Sequence, residues 1–336
     1  MSKQYLGHLS SHDPLHAYLA QSVLPQIGAG VRHGSAEFRV FSMKDDKVYL
    51  YEERNSCAQV VGKFFVSSCH RPVDGMERMR REFDNLQLLR GYGLAGYPHH
   101  VVRPLGTNER LNSILVEEYA EGIPLSVFVT GAIHQGQSQS LFDKLTALAY
   151  FFATLHNRTA HKERVDFNHD CAYLDKLVRK LHSKRVIGAW DVDELSWLRD
   201  RWREKPRMWE DNQVLVHGDA TPSNLLFGRG LSVIAIDLER MTKADRVFDL
   251  GRITGELQHY FLEATGSTHG AEPFIGHFLW EYACHFPDRS SAFRSITGRL
   301  PFQMALTHLR IARNSWVSAQ HCRRLVEQAK IILRTP

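Results

Sequence analysis

The most informative segment of the sequence reads His217-Gly218-Asp219-Ala220-Thr221-Pro222-Ser223-Asn224. A short apolar run precedes it and a second one, Leu225–Phe227, follows it, and both runs are typical of β-strands. The Gly-Arg-Gly triplet after the second run predicts a turn, and the chain returns through Leu231–Ile236 into Asp237. We expect this hairpin to place Asp219, Asn224 and Asp237 in one small polar region at the end of apolar strands.

The chemistry of this region follows from its charges. Two carboxylates close together in apolar surroundings are costly unless a cation compensates them. Mg²⁺ carrying nucleotide phosphates is such a cation, because it prefers oxygen ligands. Phosphoryl transfer needs positioning and charge neutralisation, so Asp219 is expected to accept or orient the proton of an attacking hydroxyl. Asn224 would hold a metal without adding charge, Asp237 would bridge metal and phosphates, and His217 would support the loop.

Size and composition predict an ordinary globular protein with two lobes. The chain has 336 residues, of which 43% are hydrophobic and 24% charged, which disfavours disorder, collagen-like repeats and coiled coils. No apolar run approaches the roughly 20 residues that span a bilayer, and Met1–Ser10 does not resemble a signal peptide. The 5 cysteines are scattered, which favours reduced thiols over disulfides or zinc. We therefore predict a cytoplasmic protein without a membrane partner.

The pattern of apolar residues changes from strands to helices along the chain. Strands are predicted at Glu37–Met43, Lys47–Glu52, Gln59–Phe65, Val101–Leu105 and Ser113–Tyr119. Helices are predicted at Asp13–Leu24, Gly75–Arg90, Ser140–His156, Tyr173–His182, Val192–Trp202, Phe248–Phe261 and most of Phe274–Leu333. Ser140 with Asp143 resembles a capping box, and Glu121–Pro124 reads as the boundary between the lobes.

The hairpin motif supports a family resemblance. His217-Gly218-Asp219 with Asn224, followed by Ile236-Asp237-Leu238-Glu239, resembles the aminoglycoside phosphotransferase/choline kinase family. Leu155-His156, Asp249 and Leu309–Asn314 are similar to further segments of these enzymes.

The resemblance implies an α+β fold of the protein-kinase type, with a small, mainly antiparallel-β lobe and a larger helical lobe. The expected boundaries are residues 1–116 for the nucleotide-binding lobe, 117–122 for a hinge and 123–336 for the catalytic and substrate-binding lobe. It also implies that Asp219 is the catalytic base, that Asn224 and Asp237 bind Mg²⁺, and that Glu239 has a supporting role.

The first lobe contains a candidate for nucleotide binding. Lys63 is a lone charge in the apolar strand Val60–Phe65, and a buried ammonium needs a partner. In kinases a helix glutamate holds such a lysine against the phosphates. Glu82 fits best by position, although Glu77 is also near. The alternative is that Lys63 lies on a solvated strand face and that the glutamate is an ordinary surface residue.

The segment Glu118-Tyr119-Ala120 corresponds to the hinge that, in the family, contacts adenine through backbone groups. The resemblance thus implies ATP as the donor, with GTP as an alternative, because backbone contacts cannot be read from side chains. The same residues could equally form an edge strand.

One feature departs from the family. The loop between the first two predicted strands, Ser42–Lys47, contains no glycine to cover phosphates, and the glycines lie earlier, at Gly28, Gly30 and Gly34. Two interpretations stay open: the strand numbering is off by one strand, or Ser42, Lys44 and Lys47 contact phosphate directly.

The phosphate acceptor is expected to be a hydroxyl of a small molecule. Residues 299–336 contain seven Lys or Arg against one acid, Glu327. Facing a pocket, these charges would repel a polycationic aminoglycoside, so a neutral or anionic acceptor is favoured. The alternatives are a non-catalytic kinase-like nucleotide-binding module and a nucleic-acid binder. The second rests only on the formal net charge of +5 and would show strongly salt-dependent affinity, so no nucleic acid is expected.

Overall fold

The structure, a computed structural model, describes residues 3–29, 36–44, 47–66 and 72–335. Contacts divide the chain into two compact units, Met1–Gly122 with Ile234–Arg240 and Ile123–Val233 with Met241–Pro336. The first is rich in antiparallel strands and the second is mainly helical, which confirms the predicted α+β class. The expected boundaries at 116 and 122 stay a prediction, and the contacts group Ile234–Arg240 with the first unit.

The first unit is built on an antiparallel sheet with the order β1-β2-β3-β4-β8-β7 among the described strands. The strands of this unit are β1 Gln4–His8, β2 Phe38–Lys44, β3 Val48–Glu53, β4 Gln59–Phe64, β5 Ala95–Gly96, β6 His99–Val101, β7 Pro104–Asn108 and β8 Ile114–Glu118. Val60 and Gly62 of β4 are buried while their neighbours are less so, since successive side chains alternate between faces. One face packs on a core that includes Leu19, Phe38 and Ile114.

An additional strand changes the numbering of the predicted sheet. β1 pairs with β2, so Ser42–Lys47 connects the second and third strands of the described sheet, and both interpretations of this segment stay predictions. β1 was missed because four of its five residues are exposed, which leaves no apolar alternation to detect. Ser42 itself lies in β2 opposite Tyr49. Gly30, Gly34 and the side chain of Lys44 lie outside the described residues.

The helical segments of the first unit are α1 Pro14–Tyr18 and α2 Pro72–Gly91. The predicted helix Asp13–Leu24 is only partly α-helical, because a π-helical turn, Leu19–Val23, and a 3₁₀ turn, Leu24–Ile27, follow α1. Asp13 caps α1 by accepting a hydrogen bond from the Leu15 N–H. Pro25 lies in the first turn of the 3₁₀ helix, where a proline is tolerated.

The second unit consists of helices with short strands between them. Its helices are α3 Leu125–Gln135, α4 Ser138–Arg158, α5 Asn168–Ser183, α6 Ala189–Arg203, α7 Val247–Thr265, α8 Glu272–Ala283, α9 Arg289–Ala312 and α10 Ala319–Arg334. The strands of this part of the chain are β9 Ile123–Pro124, β10 Val214–Val216, β11 Leu225–Phe227, β12 Val233–Ala235 and β13 Thr242–Ala244. β9 pairs with β11 and β10 pairs with β13. Among the described residues, no helix is both long and apolar enough for a bilayer span.

Sequence analysis missed one helix of this unit and predicted one helix cap wrongly. α3 was missed because Pro124 was taken only as a breaker, whereas it is the N-cap of that helix. The Ser140–Asp143 capping box does not form, since α4 begins earlier, at Ser138. The Asp143 carboxylate instead accepts a hydrogen bond of 2.9 Å from the Gln139 amide.

Glycines let α7 and α9 pack closely. A Cβ added at Gly251 would lie 2.2 Å from the Cβ of Gln303, and one at Gly255 would lie 2.6 Å from the Cβ of Thr307. The short separation also allows the Thr307 hydroxyl to donate to the Gly251 carbonyl at 3.1 Å. This packing fixes the relative position of the two helices whose side chains adjoin the site described below.

Replacing Gly251 with alanine is expected to lower the free energy of unfolding by about 1–3 kcal/mol, because the new methyl group overlaps Gln303. Gly276 in α8 is the matched control, since an added Cβ there meets nothing within 4 Å. Gly276→Ala should therefore raise the free energy of unfolding by up to about 1 kcal/mol through helix propensity. Urea unfolding of both variants tests the packing, and equal stability changes would contradict it.

Candidate functional site

Lys63 is the centre of a charged cluster in the first unit. Its ammonium lies 2.6 Å from Glu82 Oε1, on α2, and 3.1 Å from Glu117 Oε2, on β8. The strand register explains the second contact, because Lys63 pairs with Leu115, and Glu117 lies two residues further along the same face. Of the two helix glutamates considered from the sequence, Glu82 is the one that contacts Lys63.

Burial and neighbouring charges shift the ionisation of this cluster. Burial alone would lower the pKa of Lys63, but Glu117, Glu82 and Asp237 outweigh it and raise the pKa. Burial raises the pKa of Glu82, and Glu117 and Asp237 raise it further against the effect of Lys63. The pKa of Glu117 is raised mainly by burial as well. One lysine therefore faces more negative charge than it can neutralise.

Asp237 has a strained backbone. Its φ is +66°, in the left-handed region that residues other than glycine rarely adopt, and such strain clusters at functional sites. The segment around it is fixed to α2, because Asn85 donates to the Leu238 carbonyl at 2.8 Å and Arg78 pairs with Glu239 at 2.6 Å. The strained conformation is thus held by contacts on the residues that follow.

Carboxylates of the first unit could hold a cation. One oxygen from each of Glu82, Asp237 and Glu239 lies within 4.8 Å of the others. Carboxylate oxygens are ligands that Mg²⁺ binds, and the excess negative charge around Lys63 favours a divalent cation there. The donor set therefore fits the predicted metal, with Asp237 among its members.

The predicted hinge residues follow β8. Glu118 is the last residue of that strand and accepts a hydrogen bond of 2.7 Å from the Arg103 N–H. Tyr119 and Ala120 lie beyond the strand, and the Lys3 ammonium lies 4.3 Å from the centre of the Tyr119 ring. These contacts describe the side chains only and leave an adenine role for this segment a prediction.

The loop His217–Asn224 in the second unit is folded around its own polar groups. Asn224 donates from its amide nitrogen to the Asp219 carbonyl at 3.0 Å, and Asp219 N–H contacts His217 Nδ1 at 3.3 Å. Gly218 has a φ of +78°, which a glycine adopts without steric cost. His217 is fully buried, consistent with a supporting position.

Asp249 on α7 holds the start of this loop. Its carboxylate accepts hydrogen bonds from the backbone N–H of His217 at 2.7 Å and of Gly218 at 3.2 Å. The same carboxylate lies 3.2 Å from His156 Nε2, and His156 Nδ1 lies 2.9 Å from the Tyr282 hydroxyl. Burial lowers the pKa of His156, which favours a neutral ring that donates to Asp249. The structure thus joins Asp249 and His156, two residues of the sequence resemblance.

Replacing Asp249 with asparagine is expected to cost about 1–3 kcal/mol in unfolding free energy, because one carboxylate oxygen becomes an NH₂ group facing a backbone donor. Any activity that depends on the loop should fall with it. The exposed Asp200, which pairs with Arg199 at 2.8 Å, provides the control variant Asp200→Asn. If thermal unfolding shows equal stability for both variants, Asp249 does not hold the loop as described.

Arg310 is a candidate site residue that sequence reasoning did not predict. Its guanidinium, from α9, lies 2.5 Å from Asp219 Oδ1, and both side chains are largely buried. Arg252 on α7 is also nearby, since Arg310 lowers the pKa of Arg252 and Asp219 raises it. The basic character of residues 299–336 and the family-like segment Leu309–Asn314 were signals, but neither assigned Arg310 a contact with Asp219.

The structure therefore groups the predicted site residues into two clusters. Lys63, Glu82, Asp237 and Glu239 come together in the first unit, with Glu117 as an unpredicted member. His217, Asp219 and Asn224 come together in the second, with Asp249 and Arg310 as additional members.

Comparison with known proteins gives a family match. A model described as "Phosphotransferase enzyme family" matches residues 45–283, which is more than half of the chain. No curated protein sequence matches the chain.

Solved structures show the same fold at low sequence identity. An ethanolamine kinase from Plasmodium vivax has a TM-score of 0.60 and 13% identity, covering 96% of this chain and 87% of its own. A choline kinase from Cryptosporidium parvum has a TM-score of 0.59 and 11% identity, covering 95% and 92%. A macrolide 2′-phosphotransferase from Brachybacterium faecium has a TM-score of 0.52 and 16% identity, covering 94% and 99%.

Proposed function

The chain belongs to the phosphotransferase enzyme family and is a small-molecule kinase, and on that premise we propose that it transfers the γ-phosphoryl group of ATP to a hydroxyl group, with Asp219 as the base. The family predicted from the hairpin motif is thereby confirmed, whereas the donor, the metal and the residue roles belong to the proposal. A cytoplasmic location is retained as part of it.

Each residue has a defined part in the proposed reaction. Asp219 accepts the proton of the acceptor hydroxyl as its oxygen forms a bond to the γ-phosphorus. The bond from that phosphorus to the bridging oxygen breaks, and ADP leaves with the electron pair. Lys63 binds phosphate oxygens, held in place by Glu82. Asn224 and Asp237 would hold Mg²⁺, which neutralises phosphate charge when bound.

The observation that carries this proposal is the construction of the Asp219 loop. A reactive carboxylate must be held in one position, because misplacement of a catalytic group by 1 Å costs about 10²-fold in rate. Asp249 fixes the two residues before Asp219, and Asn224 fixes its carbonyl. These contacts hold the loop that carries Asp219 in one conformation, as the proposed base requires.

The test is Mg²⁺-dependent ATP turnover across a panel of alcohols, with GTP measured beside ATP. The proposal expects turnover that needs both the metal and an acceptor. Asp237→Asn should weaken binding of the Mg²⁺–nucleotide complex more than binding of nucleotide in chelator, because it removes a proposed metal ligand.

Two outcomes would contradict the proposal. Tight nucleotide binding without turnover on any acceptor would favour the non-catalytic binding module. Strongly salt-dependent affinity for DNA or RNA, with no nucleotide binding, would favour the nucleic-acid binder.

A further inference from the structure

A cluster of buried charges surrounds Asp219 in the second unit. Its other members are Arg310 from α9 and Arg252 and Glu256, one turn apart on α7. Arg252 and Glu256 are only 4% and 8% exposed. Ions this deeply buried are usually paired, because removing a charge from water is expensive. An ion without a partner in this cluster is therefore unusual.

Arg310 forms an ion pair with Asp219 in this cluster. Arg252 forms no ion pair among the described residues, and its Nε and Nη1 atoms are buried without a hydrogen-bond partner. Buried guanidinium donors without acceptors are rare. A donor that is removed from water and gains no new hydrogen bond destabilises the folded protein. Arg252 is thus a deeply buried cation with donors that nothing in the described chain occupies.

The electrostatics agree with the geometry. Burial first, and then the Arg310 cation, lower the pKa of Arg252 to about 10, although Glu256 and Asp219 act in the opposite direction. Burial raises the pKa of Glu256 against the effect of both arginines. The charged form of Arg252 is therefore destabilised here, and an additional anion would stabilise it.

A basic groove lies between α5 and the C-terminal end of α9, the helix that carries Arg310. It is lined by Lys176, Arg179, Lys180 and Lys184 of α5 and its C-terminus, and by Arg313 at the end of α9. Side chains three or four residues apart share a helix face, so Arg313 follows Arg310 on α9. Lys176 likewise lies three residues after Tyr173 on α5, and Tyr173 raises the pKa of Arg252. Positive charge therefore continues outward along the helix faces that adjoin the cluster.

We propose that the acceptor carries an oxyanion, a carboxylate or phosphate group, which Arg252 and Arg310 bind next to Asp219. A planar guanidinium binds such a group through two parallel N–H donors, which supplies the partners that Arg252 lacks. Binding draws Arg310 from Asp219 onto the acceptor, and this brings the acceptor hydroxyl next to the Asp219 carboxylate. The inference rests on the proposed function and specifies its substrate class: alcohols that carry an anionic group, and not cationic amino alcohols.

The probes are three linear C6 polyols that differ at one terminal group: gluconate, glucitol and glucamine. Calorimetric titration of the full chain should show gluconate binding at millimolar concentration, at least about tenfold tighter than glucitol, with glucamine weakest. Glucitol phosphate, compared with gluconate, distinguishes the two kinds of oxyanion. Glucamine or glucitol binding as tightly as both anions, or no heat from either anion, would contradict the proposal.

Arg252→Met tests the residue itself. The variant should lose the preference for gluconate over glucitol while its unfolding midpoint stays unchanged or rises, because it removes an unpaired buried ion. The matched control is Arg299→Met, which removes a buried arginine that pairs with Asp245 at 3.0 Å and should lower the midpoint without changing the preference. An unchanged gluconate preference in a folded Arg252→Met variant would overturn the assignment.

Arg252→Lys keeps the result interpretable if the methionine variant does not fold. Lysine retains the charge but lacks the two parallel N–H donors of the guanidinium. The affinity for gluconate should therefore fall, and the preference for gluconate over glucitol should shrink. Turnover separates this inference from the proposed function. If the enzyme turns over cationic alcohols best and Asp219→Asn abolishes that turnover, the function stands and the oxyanion inference fails. If Asp219→Asn leaves turnover unchanged, the proposed function fails.

Discussion

Asp219→Asn is expected to lower the rate of phosphoryl transfer by about 10²–10⁴-fold, because asparagine cannot accept the proton of the acceptor hydroxyl. The substitution keeps the size of the side chain, and its amide oxygen can still accept a hydrogen bond from Arg310. Nucleotide affinity should change little, since the proposed phosphate ligand is Lys63 and not Asp219. The measurement is steady-state ATP turnover at saturating nucleotide and acceptor.

The loss of the Arg310–Asp219 ion pair needs its own control. Asp211 accepts comparable contacts from buried arginines, at 3.0 Å from Arg246 and 2.5 Å from Arg299. Asp211→Asn should therefore lower stability at least as much as Asp219→Asn while retaining most of the turnover. If the two variants lost activity in parallel with stability, the effect of Asp219→Asn would be structural. An Asp219→Asn enzyme with near-normal turnover would remove Asp219 as the base.

Lys63→Met is expected to cost about 3–5 kcal/mol in unfolding free energy, because it leaves Glu82 and Glu117 as buried carboxylates without their cation. It should also weaken nucleotide binding, since Lys63 is the proposed phosphate ligand. Arginine at this position retains the charge, so Lys63→Arg should be more stable than Lys63→Met. Urea unfolding and nucleotide titration together test both effects.

The pH dependence of Lys63→Met has a defined sign. Burial already raises the pKa of Glu82 and Glu117, and Lys63 opposes that rise, so its removal raises both pKa values further. A carboxyl with a folded-state pKa above its unfolded value binds more protons when folded, so stability rises as pH falls. The deficit of Lys63→Met relative to wild type should therefore shrink between about pH 8 and pH 5. A deficit that grew on acidification would contradict the description of this cluster.

The hairpin and the helices could be predicted because their signals are local. Apolar periodicity located α2 and α4 to within a few residues, and turn residues located the connection after Phe227. β1 lacked that signal because it is exposed, and α3 was hidden by Pro124 in a capping position. The π-helical turn Leu19–Val23 has no distinctive composition in the sequence.

The members of the site were predictable only where a motif fixed them. Asp219, Asn224 and Asp237 lie at characteristic spacings, and Lys63 is conspicuous in an apolar strand. The contact of Glu117 with Lys63 could not be predicted, because it depends on the register in which β4 pairs with β8. Arg310 lies 91 residues from Asp219 in sequence, so its contact depends on helix packing that no local pattern encodes.

Phosphorus NMR is the most direct test of the central claim, because it identifies where the phosphoryl group goes. Wild-type protein with ATP, Mg²⁺ and a hydroxyl acceptor should convert the γ-phosphate signal into that of a phosphate monoester, with ADP formed in equal amount. The monoester should be absent with chelator and strongly reduced with Asp219→Asn. Inorganic phosphate as the sole product for every acceptor, or a monoester formed equally fast by Asp219→Asn, would contradict the account.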